Sequence, residues 1–129
     1  MLKTNLLHPE ILSALGSNGH GSMLLIADGN FPFSTGVNER TQKVFLNLSP
    51  GMLNVTDVLK VIHDVIPIES YFVMVPQDGG QQSIHEEFIK IIGDEIPAEK
   101  LKRFDFYEKV KSPDTFLVIA TGERRRFAN

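Results

Sequence analysis

The sequence contains no cysteine and no tryptophan. Without thiols there is no disulfide scaffold, no cysteine nucleophile, and no zinc–thiolate or iron–sulfur site. Long hydrophobic runs are missing as well. No stretch reaches the ~18–20 consecutive apolar residues of a membrane span. The opening Met1-Leu2-Lys3-Thr4-Asn5 gives way to His8-Pro9-Glu10 before an apolar run of signal-peptide length can build. Charge of one sign is not in large excess: 13 Lys and Arg stand against 16 Asp and Glu, for a net charge of −3. Nucleic-acid binders usually carry a basic surplus, so no nucleic-acid partner is expected. Several motifs are absent. There is no G-x-G-x-x-G and no G-x-S-x-G, and Gln77-Asp78-Gly79-Gly80 is not followed by the Gly-Lys-Ser/Thr of a phosphate-binding loop. No two histidines stand at i, i+4, so neither a metal nor another cofactor is expected. These absences describe a soluble, cytoplasmic protein with no membrane contact.

What is present suits one compact domain spanning residues 1–129, with 42% hydrophobic residues and enough length to bury a core without covalent staples. The apolar period switches repeatedly. Ile11, Leu12 and Leu15 form a stripe behind His8-Pro9-Glu10, where proline suits a first helical turn. Ser22 to Ala27 is a short apolar run bounded by glycine and by Asp28-Gly29-Asn30, which fits a strand buried on both faces. A second strand is expected over 43–48, after an ordered loop from Phe31 to Thr41. Thr56-Asp57 opens a helix carrying Val58, Leu59, Val61, Ile62, Val65 and Ile66, stopped by Pro67. Residues 70–76 read as a strand and 77–82 as a glycine-rich turn. Ser83-Ile84-His85-Glu86 matches a capping box ahead of a helix to Gly93. Residues 102–108 enter a small helix through a short strand or turn, and 115–120 form the last strand. Alternating strands and helices predict an α/β layered domain with a central, largely buried sheet flanked by helices.

Chemistry concentrates around the first strand. Gly19-His20-Gly21 precedes it and Asp28-Gly29-Asn30-Phe31-Pro32 follows it. A histidine with a pKa near 6.5 exchanges protons at neutral pH, and a carboxylate can orient it or act opposite to it. Seven residues of strand at ~3.3 Å each would hold His20 and Asp28 some 20 Å apart. They share a site only if the strand is short or bent, or if two chains each contribute one end. A bland reading stands beside this one, with His20 as an exposed turn residue and Asp28 as a loop or cap residue. His8 fits a helix start, and His63 and His85 lie on helices. Arg124-Arg125-Arg126 fits a solvated face or a subunit contact. Arg103-Phe104-Asp105-Phe106-Tyr107 fits either a strand edge or an aromatic wall for a hydroxyl-rich ligand.

Five segments taken together resemble the D-ribose pyranase and L-fucose mutarotase family. They are Met1-Leu2-Lys3-Thr4, Gly19-His20-Gly21, Asp28-x-x-Phe31-Pro32, Arg103-Phe104-x-Phe106-Tyr107-Glu108, and Thr121-Gly122-Glu123-Arg124-x-x-Phe127-Ala128-Asn129. The arginine–aromatic segment and the Gly-His-Gly form are closer to the fucose branch. The resemblance implies a three-layer α/β fold and a ring-shaped homo-oligomer, a decamer, with active sites between neighbouring subunits. It implies a mutarotase that interconverts the anomers of an L-fucose-like aldose by acid/base ring opening and closure. The alternatives are pyranose–furanose interconversion of D-ribose, a non-catalytic sugar-binding or transport-accessory role, and a structural oligomer with a vestigial pocket. Carried over, His20 is the acid/base group and Asp28 the second catalytic residue. Arg103, Tyr107, Phe127 and Asn129 bind the monosaccharide, and no cofactor or metal is required. Two departures are visible. The family usually has tyrosine where Phe127 stands, which removes a phenolic hydroxyl. Its members continue past the position of Asn129 with an apolar strand, so that strand is expected to be missing here and the last pocket segment loosely held.

Overall fold

The computed structural model describes residues 1–129. Local chemistry starts the first two helices, whereas the capping box expected at Ser83-Ile84-His85-Glu86 does not form: Ser83 is already the first helical residue, behind Gln82, which makes no side-chain cap. Helix α1 (Pro9–Gly16) starts with proline at a position that needs no N–H, and the His8 Nδ1 accepts the Ile11 N–H at 3.4 Å. Strand β1 (Met23–Ala27) and strand β2 (Gln42–Phe45) follow. Helix α2 (Val55–His63) is opened by Asp57, whose carboxylate accepts the Asn54 N–H at 2.9 Å. Strand β3 (Tyr71–Val75) leads to helix α3 (Ser83–Ile92), strand β4 (Ala98–Lys102), helix α4 (Arg103–Val110) and strand β5 (Thr115–Ala120).

The strands fall into two parallel sheets, ordered β1-β5-β2 and β3-β4. Strand β5 is central in the first, and its uninterrupted apolar sequence is what a strand covered on both faces requires. Leu117, Val118, Ile119 and Ala120 are at most 1% exposed. Alternation then sorts its side chains. Leu117 and Ile119 join the core layer supplied by α1, α2 and α3, including Ile11, Ile62 and Phe88. Val118 joins Leu25, Phe31, Met74, Phe106 and Val110 in the opposite layer, under α4 and the loop after β1. The result is the expected three-layer α/β arrangement, helices on both faces of the strands.

Several details differ from the sequence reading. The expected single sheet is divided, because β1 and β3 are each hydrogen-bonded on one side only. The second strand ends at Phe45 instead of Leu48. Beyond it the Leu46 N–H still reaches the Ala120 carbonyl at 2.8 Å before the chain turns away. Helix α2 ends at His63 and the chain turns through residues 64–66 ahead of Pro67. Strand β4 lies almost wholly before the predicted segment; its polar, exposed sequence hides it, as suits an edge strand guarded by lysine and glutamate.

Gly122 anchors the loop after β2 against the end of β5. Its N–H donates to Leu53 and its carbonyl accepts from Gly51. A side chain there would put Cβ 2.3 Å from the Ser49 carbonyl oxygen, so only glycine permits the approach.

Truncation at the centre should be costly and truncation at the rim harmless. Ile119→Ala, at a fully buried position, is expected to lower unfolding free energy by about 2–5 kcal/mol. Leu48→Ala, at an exposed position, should stay within about 0.5 kcal/mol of the parent. Urea denaturation of both variants measures the contrast.

Candidate active site

The site is built where β1 ends. The backbone leaves the sheet at Asp28, whose side chain is 3% exposed. Oδ1 accepts the Asn30 N–H at 2.9 Å, closing a local turn. Oδ2 accepts the Asn129 side-chain amide at 2.9 Å and the Ala128 N–H at 3.4 Å. Asn129 answers through Oδ1, which accepts the Asp28 N–H at 2.8 Å. The expectation of a loosely held terminal segment is therefore corrected. Ala128 is fully buried, and Asn129 is 8% exposed.

Phe127 bends the chain into this position with φ at 57°, a left-handed conformation uncommon for an aromatic residue. Its ring carries the Arg103 guanidinium 5.6 Å from the centroid, and its carbonyl lies 3.4 Å from the His85 Nε2. Arg103 itself is exposed at the start of α4, where its free donors remain available to a ligand. One turn along the same helix, Tyr107 meets Phe31 edge-on at 5.8 Å, and Phe31 meets Phe33 at 5.5 Å. Aromatic side chains thus wall one side of the Asp28–Asn129 pair.

Of the six residues singled out from sequence, Asp28, Asn129, Phe127, Arg103 and Tyr107 are assembled at this end of the fold. His20 is not. It lies before the opposite end of β1, with its side chain 90% exposed, and its Nδ1 is 2.7 Å from a Glu69 carboxylate oxygen. Within one protomer His20 and Asp28 do not share a cavity.

Electrostatics separates the carboxylates. Burial pushes the Asp28 carboxyl above its ordinary value, against hydrogen bonds from Asn30, Ala128, Asn129 and Phe31 that pull it down. Burial also pushes Glu123 up, but there the hydrogen bonds and charge of Arg125 win and hold the carboxyl low. Arg125 makes two contacts of 3.0 Å to Glu123 and a further one to Glu87, and is held well above the usual arginine value, chiefly by Glu123. This cluster braces the stretch leading to Phe127. Within Arg124-Arg125-Arg126, read from the sequence as a solvated face or a subunit contact, Arg125 is half-buried against Glu123 and Glu87 while its two neighbours are exposed.

Sequence reasoning assigned no role to His85. It is 4% exposed, with Nδ1 lacking a partner. The signal was available in the spacing: Ile84, His85, Phe88 and Ile92 share the buried face of α3. Burial pushes the imidazole below its ordinary value, and the charge of Lys100 adds to that; the carbonyls of Phe127 and Met74 oppose it. The neutral ring spans the end of β3 and the terminal segment.

Comparison with known proteins follows the same lines. A family model described as RbsD / FucU transport protein family matches residues 1–129. The human fucose mutarotase is 31% identical over 137 residues, covering 96% of this chain and 85% of that protein. The D-ribose pyranase of Variovorax paradoxus is 31% identical over 134 residues, covering 100% of this chain and 93% of that protein. Among solved structures, RbsD of Bacillus subtilis complexed with D-ribose superposes with a TM-score of 0.79 at 25% identity, covering 99% of this chain and 92% of that one.

Two pH dependences follow. An acid whose folded pKa is raised stabilises the fold most below its unfolded value, near 3.8 for Asp28, and loses that contribution as pH rises through the raised value. The unfolding free energy of the parent minus that of Asp28→Asn should therefore fall with rising pH across this range; a flat difference would contradict the assignment. His85 has the opposite sign. Its folded pKa is depressed, so its contribution is present above 6.5 and is lost as pH falls below that value. His85→Gln should flatten this limb in denaturation curves.

Proposed function

Because this chain belongs to the RbsD / FucU transport protein family, we propose that its isomerase activity, the interconversion of sugar anomers, is carried out around Asp28 with His20 of a second copy opposite. Mutarotation needs two proton movements. The anomeric hydroxyl loses a proton to a base while the ring oxygen gains one from an acid, and the C1–O5 bond breaks. The open aldehyde turns about C1–C2 and recloses on the other face with both transfers reversed. No electron moves to or from the sugar. Two proton-exchanging groups and a means of orienting hydroxyls suffice, and such groups typically contribute about 10²–10⁴-fold in rate.

The observation that carries this reading is the Asp28 carboxyl. It is buried, held by the Asn129 amide, and pushed above its ordinary value by desolvation, the direction a proton-donating carboxyl requires. Arg103 supplies free donors to sugar hydroxyls, Tyr107 and Phe127 the apolar wall, and Asn129 the fixed amide. His20 is exposed on the far side of β1 and is available to the corresponding site of a neighbour. A closed ring of copies, a decamer, would give every Asp28 such a partner. The proposed setting is the cytoplasm, with a monosaccharide as the substrate.

L-fucose is the first substrate to test, since the arginine–aromatic segment is of the fucose form. One observation favours a second reading. The fucose mutarotase and the D-ribose pyranase match this chain at the same 31% identity, and Phe127 offers no phenolic hydroxyl to select between sugars. Pyranose–furanose exchange of D-ribose runs through the same open-chain aldehyde and needs the same groups.

NMR saturation exchange separates these outcomes. The protein should accelerate anomer exchange of L-fucose or D-ribose, and Asp28→Asn and His20→Ala should each reduce the acceleration by about 10²-fold or more. Wild-type exchange unaltered by His20→Ala would exclude the histidine. Mixing the two variants tests the shared site directly: hybrid rings that pair an intact His20 with an intact Asp28 should recover part of the activity.

A further inference from the structure

His20 is held by very little. Its turn links α1 to β1, with Gly19 before it and Gly21 after it, and Gly21 takes a φ of 78°. A Cβ added at either glycine would meet nothing within 4 Å, so no neighbouring atoms brace the backbone on the two sides of the histidine. The imidazole is 90% exposed. Its one hydrogen-bonding partner is the Glu69 carboxylate, 2.7 Å from Nδ1 and 49 positions away in the sequence.

Glu69 stands on firmer ground. It lies two residues ahead of β3, between Ile68 and Ser70. Ile68 packs against the larger core layer. Tyr71, the first residue of β3, packs there too and donates its N–H to the Pro97 carbonyl at 3.0 Å. The carboxylate is therefore carried by a segment anchored on both sides, and it reaches a ring that is not anchored. No lysine or arginine pairs with it, so its oxygens are left to the histidine. An exposed pair of this kind adds little to stability. The fold does not need it, and its role lies in what it does to the ring.

We propose that Glu69 is a positioning residue for the sugar chemistry, which rests on the role given to His20 above: it accepts the Nδ1 proton of His20, and so fixes both the direction of the ring and the nitrogen that is left bare. An ionised carboxylate only accepts hydrogen bonds, so Nδ1 is the donor and Nε2 carries the lone pair. In water a neutral histidine prefers the opposite arrangement, with its proton on Nε2. Nε2 is also the nitrogen farther from the backbone, free to reach a site on a second copy. There it takes the proton of the anomeric hydroxyl while Asp28 of the second copy gives its proton to the ring oxygen and the C1–O5 bond breaks. On closure both protons return. While Nε2 holds the extra proton, the Nδ1–H still points at the Glu69 carboxylate, whose charge balances that of the imidazolium. With the other tautomer, Nε2 donates and does not accept, and the first transfer has no base.

Solid-state NMR of protein labelled with nitrogen-15 in its histidine rings reports the tautomer directly, at about pH 8.5, where an ordinary imidazole is neutral. The His20 signals are assigned by their loss in His20→Ala. The parent should carry its proton on Nδ1, and Glu69→Ala should carry it on Nε2; the same tautomer in both would overturn the proposal. In the anomer-exchange measurement, Glu69→Ala should lower the maximal rate about tenfold or more. The sugar concentration at half-saturation should stay within about twofold, as the loss of an interaction made in the transition state requires. An unchanged maximal rate, with His20→Ala slow, would remove Glu69 from the mechanism and leave His20 in it. Parent-like exchange by His20→Ala would remove both. A double-mutant cycle separates positioning from a structural role. In the His20→Ala background, Glu69→Ala should have no further effect, because no ring is left to hold. A further loss there would make Glu69 structural and contradict the positioning role.

Discussion

The reciprocal pair between Asp28 and Asn129 is the interaction on which the rest depends. It joins two residues 101 positions apart, each giving the other a donor and an acceptor. One side satisfies the backbone N–H at the end of β1, and the other places a carboxylate in a buried setting without leaving it unbonded. A buried carboxylate with too few partners would be costly, and one with too many charged partners would be locked in its ionised form. Asp28 lies between these limits because its partners are all neutral amides. That balance lets desolvation prevail and makes the group suited to proton exchange.

Glu123 shows the other outcome of the same physics. It is equally buried, yet Arg125 holds it ionised. The two carboxylates therefore divide the work. Glu123 and Arg125 fix the path of the terminal segment, and Asp28, at the end of that path, stays reactive. His85 adds a neutral imidazole beneath the same segment. The left-handed turn at Phe127 persists because these contacts outweigh its local cost, of order 1–3 kcal/mol.

Sequence reasoning read the elements well where burial imposed a period. The strand at 115–120 and the helix from Ser83 were legible because both are covered by apolar layers. Strand β4 was poorly legible, since an exposed edge imposes no alternation and its lysines and glutamates resemble a loop. The spacing of Ile84, His85, Phe88 and Ile92 marks His85 as buried, but not its role, which comes from the carbonyl that the distant Phe127 brings to it. Arg125 could not be told from Arg124 and Arg126, because three adjacent arginines differ only in which acids surround them after folding.

The motifs around Asp28, Arg103 and Phe127-Ala128-Asn129 were visible as residues, and the separation of His20 from Asp28 followed from the length of an extended strand. Those properties are local: they depend on spacing, on chain geometry and on the chemistry of each side chain. Which groups meet was decided only by the tertiary structure. Strand crossovers bring chain-distant residues together, so the Asp28–Asn129 pair and the Arg103–Phe127 contact have no counterpart in any short stretch of sequence.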